Sequence, residues 1–436
     1  MIPEPAAQAA PAAGLPAASS ATPRREAAMR FILATVVLDM VAIGLIIPVL
    51  PLIIGNFTTS PNEQTFWFGV VALCYGVANF IASPILGALS DRYGRRPVLL
   101  LGMTGLALSF TVTGLASALW MVIVVRMFSG AMQANVSVAQ AYVADITPAQ
   151  ERARRFGLLG AMFGIGFILG PVLGGLLGAI DIHLPFFVAG GLAMLNWLYG
   201  YFVLPESLPA DRRQPFDWRR AHPFAALRGL ARLNGVGLLI GVLALSALAQ
   251  FTLHNSWVLY TTFKFGWGPA MNGWSLFTVG LMSVLMQGVL LKHLLKRFSP
   301  AQLAVSGLAA SAVTYLAFGL ASEGWMMFAI IIGGNLLSGG VQAALQSVIS
   351  NAADPTQQGA TLGAVGSLNS SMAVLAPLVS APLLGIVSHL PRGDWRMGLP
   401  FYFCALLMAL GTALAVVQFR RRQRATSATA TLPGHA

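Results

Sequence analysis

Eleven consecutive residues decide the fold of this chain: Gly87-Ala88-Leu89-Ser90-Asp91-Arg92-Tyr93-Gly94-Arg95-Arg96-Pro97. They form a dense group of charges between two long apolar runs, Phe66–Leu89 and Val98–Ser117. A bilayer core is ~30 Å thick and takes about 20 residues of helix to cross, so each run is long enough to span it. The stretch therefore predicts a tight turn at a membrane surface.

The composition of the whole chain agrees with this prediction. Of its 436 residues, 56% are hydrophobic and only 9% are charged, and the mean hydropathy is +0.74. A soluble protein of this length cannot bury so much apolar surface. Cys74 and Cys404 lie inside apolar runs, so we expect buried packing residues and not a disulfide framework or metal ligands. With no phosphate-binding loop or nucleophile triad in the sequence, we expect no enzyme activity, cofactor or metal site.

Twelve apolar segments can be counted, and they divide into two sets of six. Their approximate limits are Arg30–Ile53, Phe66–Leu89, Val98–Ser117, Ala118–Ala144, Phe156–Ile180, Leu184–Val203, Gly235–Tyr260, Met271–Leu291, Ala301–Ala321, Gly324–Ser350, Ala360–Ser388 and Gly398–Phe419. Residues 1–28, rich in Ala and Pro, predict a disordered tail. The polar stretch 204–234 predicts a linker between halves at 29–203 and 235–419, and residues 420–436 predict a second tail. Short motifs recur in order between the halves, which supports an internal repeat.

The basic residues are distributed unevenly between the two faces that these segments define. Most of the 26 Lys and Arg residues fall in the connections that share a face with the turn at 87–97 and with both termini. The positive-inside rule assigns such a face to the cytoplasm. The formal charge of +12 is therefore topological, with contact to anionic lipids as an addition. A nucleic-acid partner is excluded on this argument, and the lipid bilayer is the expected surrounding.

The fifth segment carries glycines at four-residue spacing and one proline. Such small residues line one helix face and let a second helix pack closely, and a proline inside a helix removes a backbone donor. The group that we single out is Gly166, Gly170, Pro171, Gly174 and Gly175.

Two charged residues lie deep inside apolar segments. Asp39 is ~14 Å and Arg126 ~18 Å from the cytoplasmic face at 1.5 Å per residue. A lone charge at such depth costs at least ~2.5–3.5 kcal/mol, so we predict that the two form a pair or share a hydrated pocket. Two interpretations stay open: a permanent structural ion pair, or a proton carrier at Asp39 whose proton affinity Arg126 adjusts.

Further polar side chains occur in the segments that would surround a central cavity. The substrate-cavity candidates are Gln133, Gln140, Gln250, His254, Asn335, Gln342 and Asn369. Amides within helix bundles also serve as interhelical contacts, so we expect only part of this set to face the cavity. Gln250 and His254 are four residues apart and share a helix face, although His254 could instead face water near the outer end of its segment.

Several of these motifs resemble those of one family. The pattern G-x-L-S-D-R-x-G-R-R resembles the loop between helices 2 and 3 of the major facilitator superfamily. The pattern G-x-x-x-G-P-x-x-G-G is similar to the signature of its drug/proton antiporter branch. Leu38-Asp39-Met40, Ile43–Pro51 and Phe265-Gly266-Trp267 are most similar to the tetracycline-efflux (Tet) family. The resemblance implies an all-α membrane protein with 12 transmembrane helices in two pseudo-symmetric six-helix halves.

The resemblance also implies roles for single residues. In the family the charged turn is a conformational latch, which here comprises Gly87, Asp91, Arg92, Gly94, Arg95 and Arg96. By resemblance, Asp91 would cap the start of helix 11 near Gln358–Ala360, and Arg126 matches the family's arginine on helix 4. The aspartates of helices 3 and 9 in tetracycline pumps fall on Ser109 and Ser311, and a histidine of helix 8 falls on Ser283. These serines argue against tetracycline itself as the substrate.

The resemblance predicts an exporter of a small organic molecule or drug, driven by inward proton flow and working by alternating access. A metabolite uptake symporter is the first alternative, against which the Gly170–Gly175 motif argues. An uncoupled facilitator or membrane sensor is the second. We expect a multi-pass protein of the inner (plasma) membrane with both termini in the cytoplasm, and a monomer as the default of the fold.

Overall fold

Long helices in chain order make up the computed structural model, which describes residues 21–133, 135–148, 151–218, 237–341, 344–345 and 358–430. The helices are α1 (Ala21–Ile46, followed by the short helix Leu50–Gly55), α2 (Pro61–Tyr93), α3 (Arg95–Gly114), α4 (Leu119–Met132 and Asn135–Ile146), α5 (Arg152–Ile180), α6 (Leu184–Val203), α7 (Gly237–Phe265), α8 (Pro269–Leu285, Met286–Leu290 and Leu291–Arg297), α9 (Pro300–Leu320), α10 (Gly324–Ser338), α11 (Gln358–Val387) and α12 (Leu399–Ala430). No strand occurs in these ranges.

The helices are long and apolar enough for a bilayer. Eleven of them qualify within the described ranges, and α10, as far as it is described, is a shorter apolar helix. Large apolar side chains point outward, such as Phe202, 77% exposed, and Val313, 67% exposed. A surface of this kind is stable in lipid and not in water. The all-α membrane fold predicted from the sequence is confirmed.

The first and last helices extend into the stretches predicted as tails. The N-terminal tail was predicted for residues 1–28, and α1 begins at Ala21. The C-terminal tail was predicted for residues 420–436, and α12 continues to Ala430. Both extensions are rich in Ala and Arg, which are strong helix formers, and such residues prolong a helix beyond its apolar part. Within the first segment, the helix stops at Ile46 just before Pro48 and resumes at Leu50.

The two sets of six helices touch each other at one end of the bundle. We call the end that carries the turn Asp91–Arg96 the basic end. At the opposite end, α2 packs on α11, where a Cβ atom at Gly69 would overlap Ala381. There α5 also packs on α8, where a Cβ at Gly175 would come 2.6 Å from the Pro269 carbonyl oxygen and 2.9 Å from Gly273 Cα. The halves are therefore in backbone contact at the opposite end.

The same faces of α2 and α5 can be followed toward the basic end at two further glycines, Gly87 and Gly164. Eleven residues are about three helical turns, so Gly87 lies on the face of α2 that Gly76 presents to α11, and Gly164 lies on the face of α5 that Gly175 presents to α8. No described atom lies within 4 Å of a Cβ built on Gly87 or Gly164. Among the described residues, the close contact that α5 makes with α8 at Gly175 is thus absent at Gly164, on the side of the basic end.

Candidate functional site

A cavity of about 370 Å³ lies near mid-depth, where α5 meets the helices of the second half. This volume is within the range of small-molecule pockets, roughly 300–1,000 Å³. Its aromatic lining consists of Phe167, Phe251, Trp257, Tyr315 and Phe318. Its larger polar lining consists of Gln250, His254, Gln287, Asn335 and Asn369.

Three of these side chains form one hydrogen-bonded chain. The Tyr315 hydroxyl donates to Gln250 Oε1 at 3.0 Å, and Gln250 Nε2 lies 3.2 Å from His254 Nε2. Gln250 and His254 lie four residues apart on α7, so the helix brings both to one face. Because Gln250 Oε1 faces the tyrosine, its NH₂ group faces the imidazole and donates to it. In this hydrogen-bonded chain the neutral imidazole of His254 therefore carries its proton on Nδ1.

The smaller polar residues of the cavity satisfy themselves locally. Ser283, Ser311 and Thr314 each donate to the backbone carbonyl four residues earlier, at 2.8–2.9 Å. Such bonds are common for hydroxyl side chains within helices and leave only oxygen lone pairs for a solute. Asn335 Nδ2 likewise donates to the Ile331 carbonyl at 3.0 Å.

A π-helical turn places one further amide in the cavity. Met286–Leu290 form this turn within α8, and Gln287 lines the cavity from it. Single π turns inside α-helices occur frequently at functional sites because they rotate the following side chains. Hydropathy gives no signal for such a turn, and Gln287 was not among the candidates from the sequence.

The seven candidates from the sequence fall into three groups. Gln250, His254, Asn335 and Asn369 line the cavity. Gln133 is half-buried at the break in α4, and Gln140 is exposed on the second part of that helix. Gln342 lies outside the described residues. The aromatic members of the cavity, above all Tyr315, were missed because aromatic side chains are common everywhere in apolar helices.

Asp39 is buried among α1, α3, α5 and α6, and not in the large cavity. Its side chain is 4% exposed and accepts a hydrogen bond from Asn196 Nδ2 at 2.9 Å. Asn196 also donates to the Thr35 carbonyl at 3.2 Å, which fixes the amide beside the carboxylate. Leu99 and Phe163 line the same small space. Asp39 is therefore a carboxylate held in an apolar environment by an amide of α6.

Arg126 is buried separately, on the first part of α4. It is 5% exposed, and its Nε and Nη2 atoms are buried without a hydrogen-bond partner in the described part of the chain. Among the described ion pairs of 4.0 Å or less, none joins Arg126 to Asp39. The pairing of these two residues stays a prediction.

The charged turn is held by a network around Arg95. The guanidinium contacts Asp91 Oδ1 at 2.7 Å, Asp145 Oδ2 at 3.0 Å and the Ser90 hydroxyl at 2.6 Å. Arg95 is 9% exposed, and a buried arginine of this kind is stable only when its donors are paired. These contacts join α2, α3 and the second part of α4 within the first half.

Glu206, from the chain that follows α6, caps the start of α3. Its carboxylate accepts from the backbone N–H groups of Arg95 at 2.8 Å and Arg96 at 3.2 Å. Anions are favourable at a helix N-terminus, where these donors have no helical partner. Gly94 precedes them with φ 105°, and a Cβ there would strike this carboxylate. No local pattern around α3 indicates this cap, because Glu206 lies 111 residues from Arg95.

The described contacts of the turn remain inside the first half and the chain that follows α6, whose Gln214 N–H donates to the Asp91 carbonyl oxygen at 3.1 Å. Arg92 is exposed and lies over the ring of Tyr93 at 5.1 Å, and Arg96 donates to the Tyr201 carbonyl at 2.6 Å. The predicted cap by Asp91 on the start of α11 involves side chains near Gln358–Ala360 that lie outside the described part. A latch between the halves stays a prediction.

The glycines of α5 serve two packing partners. Gly166, Gly170 and Gly174 face α1; a Cβ at Gly170 would lie 2.6 Å from Gly44 Cα. Pro171 and Gly175 face α8 of the other half, where a Cβ at Gly273 would come 2.5 Å from the Pro171 carbonyl oxygen. The motif therefore lets α5 lie between α1 and α8 at backbone contact.

The three serines at the family's charged positions occupy different places. Ser283 and Ser311 line the cavity. Ser109 is 1% exposed inside α3, and its hydroxyl lies 3.4 Å from the Val125 carbonyl oxygen. Two of the three positions thus border the same space as His254, and neither brings a charge into it.

These features define a multi-pass membrane protein of two repeated helix bundles, with a cavity of solute size where α5 meets the second bundle. The family model described as Major Facilitator Superfamily matches residues 32–377 and 243–434. The chain belongs to this superfamily, whose members are transporters and not enzymes.

Comparison with named relatives shows which members of the superfamily the chain is similar to. The chain is 36% identical to the tetracycline resistance protein, class C, of Escherichia coli, over 87% of this chain and 95% of that protein. It is also 36% identical to the class B protein of Escherichia coli, over 90% and 97% of the two chains. The predicted similarity to tetracycline-efflux proteins is thus confirmed. A bacterial homologue of the human lysosomal transporter Spinster, solved in an inward-facing, unoccupied conformation, has the same fold with a TM-score of 0.72, at 16% identity over 91% and 97% of the two chains.

Proposed function

We propose that this transporter exports a small organic molecule or drug from the cytoplasm in exchange for protons, by alternating access. The observation that carries the proposal is the cavity at mid-depth, where α5 of the first half meets the helices of the second half, beside the backbone contact between the halves at the opposite end. A solute site near the membrane midplane, between two repeats that rock against each other, is the general arrangement of such transporters.

The relatives support the direction of transport, and the packing of α5 supports a movement between two conformations. Two relatives at 36% identity are named for resistance to tetracycline, which a cell gains when a drug leaves it. Gly175 and Pro171 bring α5 and α8 to backbone contact across the two halves. Such a contact suits a joint that closes and opens as a unit, because it involves no long side chains that would need to rearrange.

Asp39 is the proposed proton carrier, and Arg126 its proposed modulator. A carboxylate at membrane depth is expensive when charged and is a functional residue by default. Its proton can be taken up and released only if water reaches it in at least one conformation. Asn196 remains a hydrogen-bond partner in either protonation state, since an amide can donate to a carboxylate and accept from a carboxylic acid.

The proposed location is the inner (plasma) membrane, with the basic end and both termini in the cytoplasm. The support is the concentration of arginine at that end, including Arg92, Arg95 and Arg96. The described conformation would then be open toward the cytoplasm, ready to take up a solute for export. The proposed functional unit is a monomer.

Proton flux in inside-out vesicles tests this proposal. Vesicles with an acidic interior are challenged with a compound panel that includes tetracycline with Mg²⁺. We expect at least one compound to release lumenal protons in vesicles with the wild-type chain, and no release in vesicles with Asp39→Asn. The amounts of folded protein are matched by size-exclusion chromatography of the solubilised chains.

The same experiment separates the alternatives. Exit of a preloaded solute from the acidic lumen together with protons would identify a symporter. Equilibration of a solute without any proton movement, equal in wild type and Asp39→Asn, would identify an uncoupled facilitator. Either result would contradict proton-coupled export.

A further inference from the structure

We infer that the cavity of the second half selects uncharged aromatic solutes that carry a hydrogen-bond acceptor, and that the Tyr315–Gln250–His254 chain recognises this acceptor. This inference rests on the proposed export function and names the substrate class of the same site. Three properties of the cavity carry it: the absence of charged side chains from its described lining, its aromatic walls, and the direction of the hydrogen-bonded chain.

The first property is electrostatic. No Asp, Glu, Lys or Arg belongs to the described lining of the cavity. A permanently charged solute would lose its hydration without gaining an opposite charge, which is strongly unfavourable in an apolar environment. The cavity thus discriminates against ions of either sign by their desolvation. Ser311 and Ser283 stand in this lining with their hydroxyls bonded to their own helices, so no carboxylate compensates a cation there.

The second property is the arrangement of the aromatic rings. Trp257 meets Phe318 edge to face, with ring centroids 5.1 Å apart, and its indole N–H is already used by the Ser275 hydroxyl at 3.0 Å. Trp257 therefore offers the cavity only apolar surface. Phe167 adds a ring from α5, on the other side of the boundary between the halves. A flat aromatic ring of a solute can make favourable offset or edge-to-face contacts with these side chains.

The third property is the polarity of the chain from Tyr315 to His254. The phenol donates to the amide oxygen, and the amide NH₂ donates to the imidazole Nε2. A neutral imidazole that accepts at Nε2 carries its proton on Nδ1. The free end of the chain is then an N–H donor, which matches a carbonyl, lactone or amide oxygen on the solute. A solute with only donors would find no partner at this end.

Binding of a charge series built on one ring system tests the inference. The probes are 7-amino-4-methylcoumarin, which is uncharged; its 3-acetic acid, an anion; and 4-methyl-7-trimethylammoniocoumarin, a cation. Each is titrated against the full chain in lipid nanodiscs, with empty nanodiscs as the background. We expect the uncharged coumarin to bind at least tenfold more tightly than either ion.

Two variants examine the parts of the cavity separately. Tyr315→Phe removes the phenol that orients Gln250, and we expect about three- to tenfold weaker binding of the uncharged coumarin. Tyr199→Phe, at a half-exposed tyrosine of α6 that packs on Phe31, is the matched control and should leave binding unchanged. Ser311→Asp places a carboxylate in the lining, and we expect it to reverse the order so that the cationic coumarin binds best.

The outcomes are decisive in both directions. Equal or tighter binding of either ion to the wild-type chain would overturn the inference, as would binding of the uncharged probe no stronger than to empty nanodiscs. Unchanged binding in Tyr315→Phe would remove the role of the hydrogen-bonded chain. Proton release in the vesicle experiment is a separate readout: without it export fails, whereas proton release driven mainly by ionic compounds would leave export in place and refute the substrate class.

Discussion

The two halves of the bundle share one architecture but bury different polar groups. The half formed by α1–α6 buries the charged side chains Asp39 and Arg126, and it holds the Arg95 network at its basic end. The half formed by α7–α12 buries one charge, Lys264, at the opposite end, where it donates to the Gly319 carbonyl oxygen at 2.7 Å. This half contributes most of the cavity, whose polar lining is made of amides, hydroxyls and one imidazole. The same helical architecture therefore buries an acid and a base in the first half and surrounds a cavity with uncharged polar groups in the second.

The difference indicates how the proposed work is divided. A charge in a low-dielectric interior responds strongly to protons, so the first half is suited to coupling. Uncharged polar groups respond weakly to protons and recognise shape and hydrogen-bonding pattern, so the second half is suited to solute selection. The following predictions test groups of the two halves and the contact between them, from the largest expected effect to the smallest.

The largest expected effect is at Arg126, where stability and transport should change differently. Because Nε and Nη2 of this buried guanidinium have no described partner, Arg126→Met removes a desolvated charge and should leave thermal stability unchanged or raise it. Proton-coupled transport should be lost. Arg154→Met, at an exposed arginine of α5, is the control. A loss of about 3–5 kcal/mol in unfolding free energy would instead show that Arg126 pairs with a buried carboxylate such as Asp39.

The contact between the halves is tested next, at Gly175. A Cβ there meets the backbone of Pro269 and Gly273, which cannot move aside as a flexible side chain would. Gly175→Ala should weaken closure at the opposite end by about 1–3 kcal/mol and slow transport about tenfold or more. Gly191→Ala on α6, with no described atom within 4 Å of its Cβ, should transport normally. Equal rates for the two variants would contradict the closing role of this contact.

A smaller effect is expected at the cap of α3. Glu206→Ala leaves the N–H groups of Arg95 and Arg96 without their carboxylate and should reduce the unfolding free energy by about 0.5–2 kcal/mol. Glu323 directly precedes α10, but its side chain makes no capping hydrogen bond. Glu323→Ala should therefore change the melting temperature very little, and a similar loss in both variants would assign the effect to charge alone.

The smallest expected effect is a pH dependence at the opposite end. Hydrogen bonds from the Arg396 side chain and backbone hold the pKa of the partly buried Asp394 carboxyl below its ordinary value of about 3.9. Because the folded-state pKa is lowered, the stabilisation is present above this ordinary value and is lost as the pH falls through the folded-state pKa. Wild type should melt slightly above Asp394→Asn at pH 6, and the difference should shrink as the pH falls below the ordinary carboxyl pKa. A constant difference across this range would exclude ionisation as its cause.

Much of the fold could be predicted because hydropathy and length are local properties. The twelve apolar segments, the turn at 87–97 and the small-residue face of α5 all follow from residues close together in the chain. The candidate site was predicted less completely. Gln250 and His254 were found because polar side chains are conspicuous in apolar helices, whereas Tyr315 and Gln287 were missed because neither aromatic composition nor a π turn has a distinctive local pattern.

The sequence by itself therefore determined that this chain is a twelve-helix membrane protein with a charged turn, buried charges and a glycine-lined helix, since the bilayer constrains length, polarity and charge directly. Only the tertiary structure decided which polar groups share a cavity, that Asn196 holds Asp39, and that Glu206 caps α3. The physical reason is that these contacts join residues up to 157 positions apart, and their distances depend on how the helices pack.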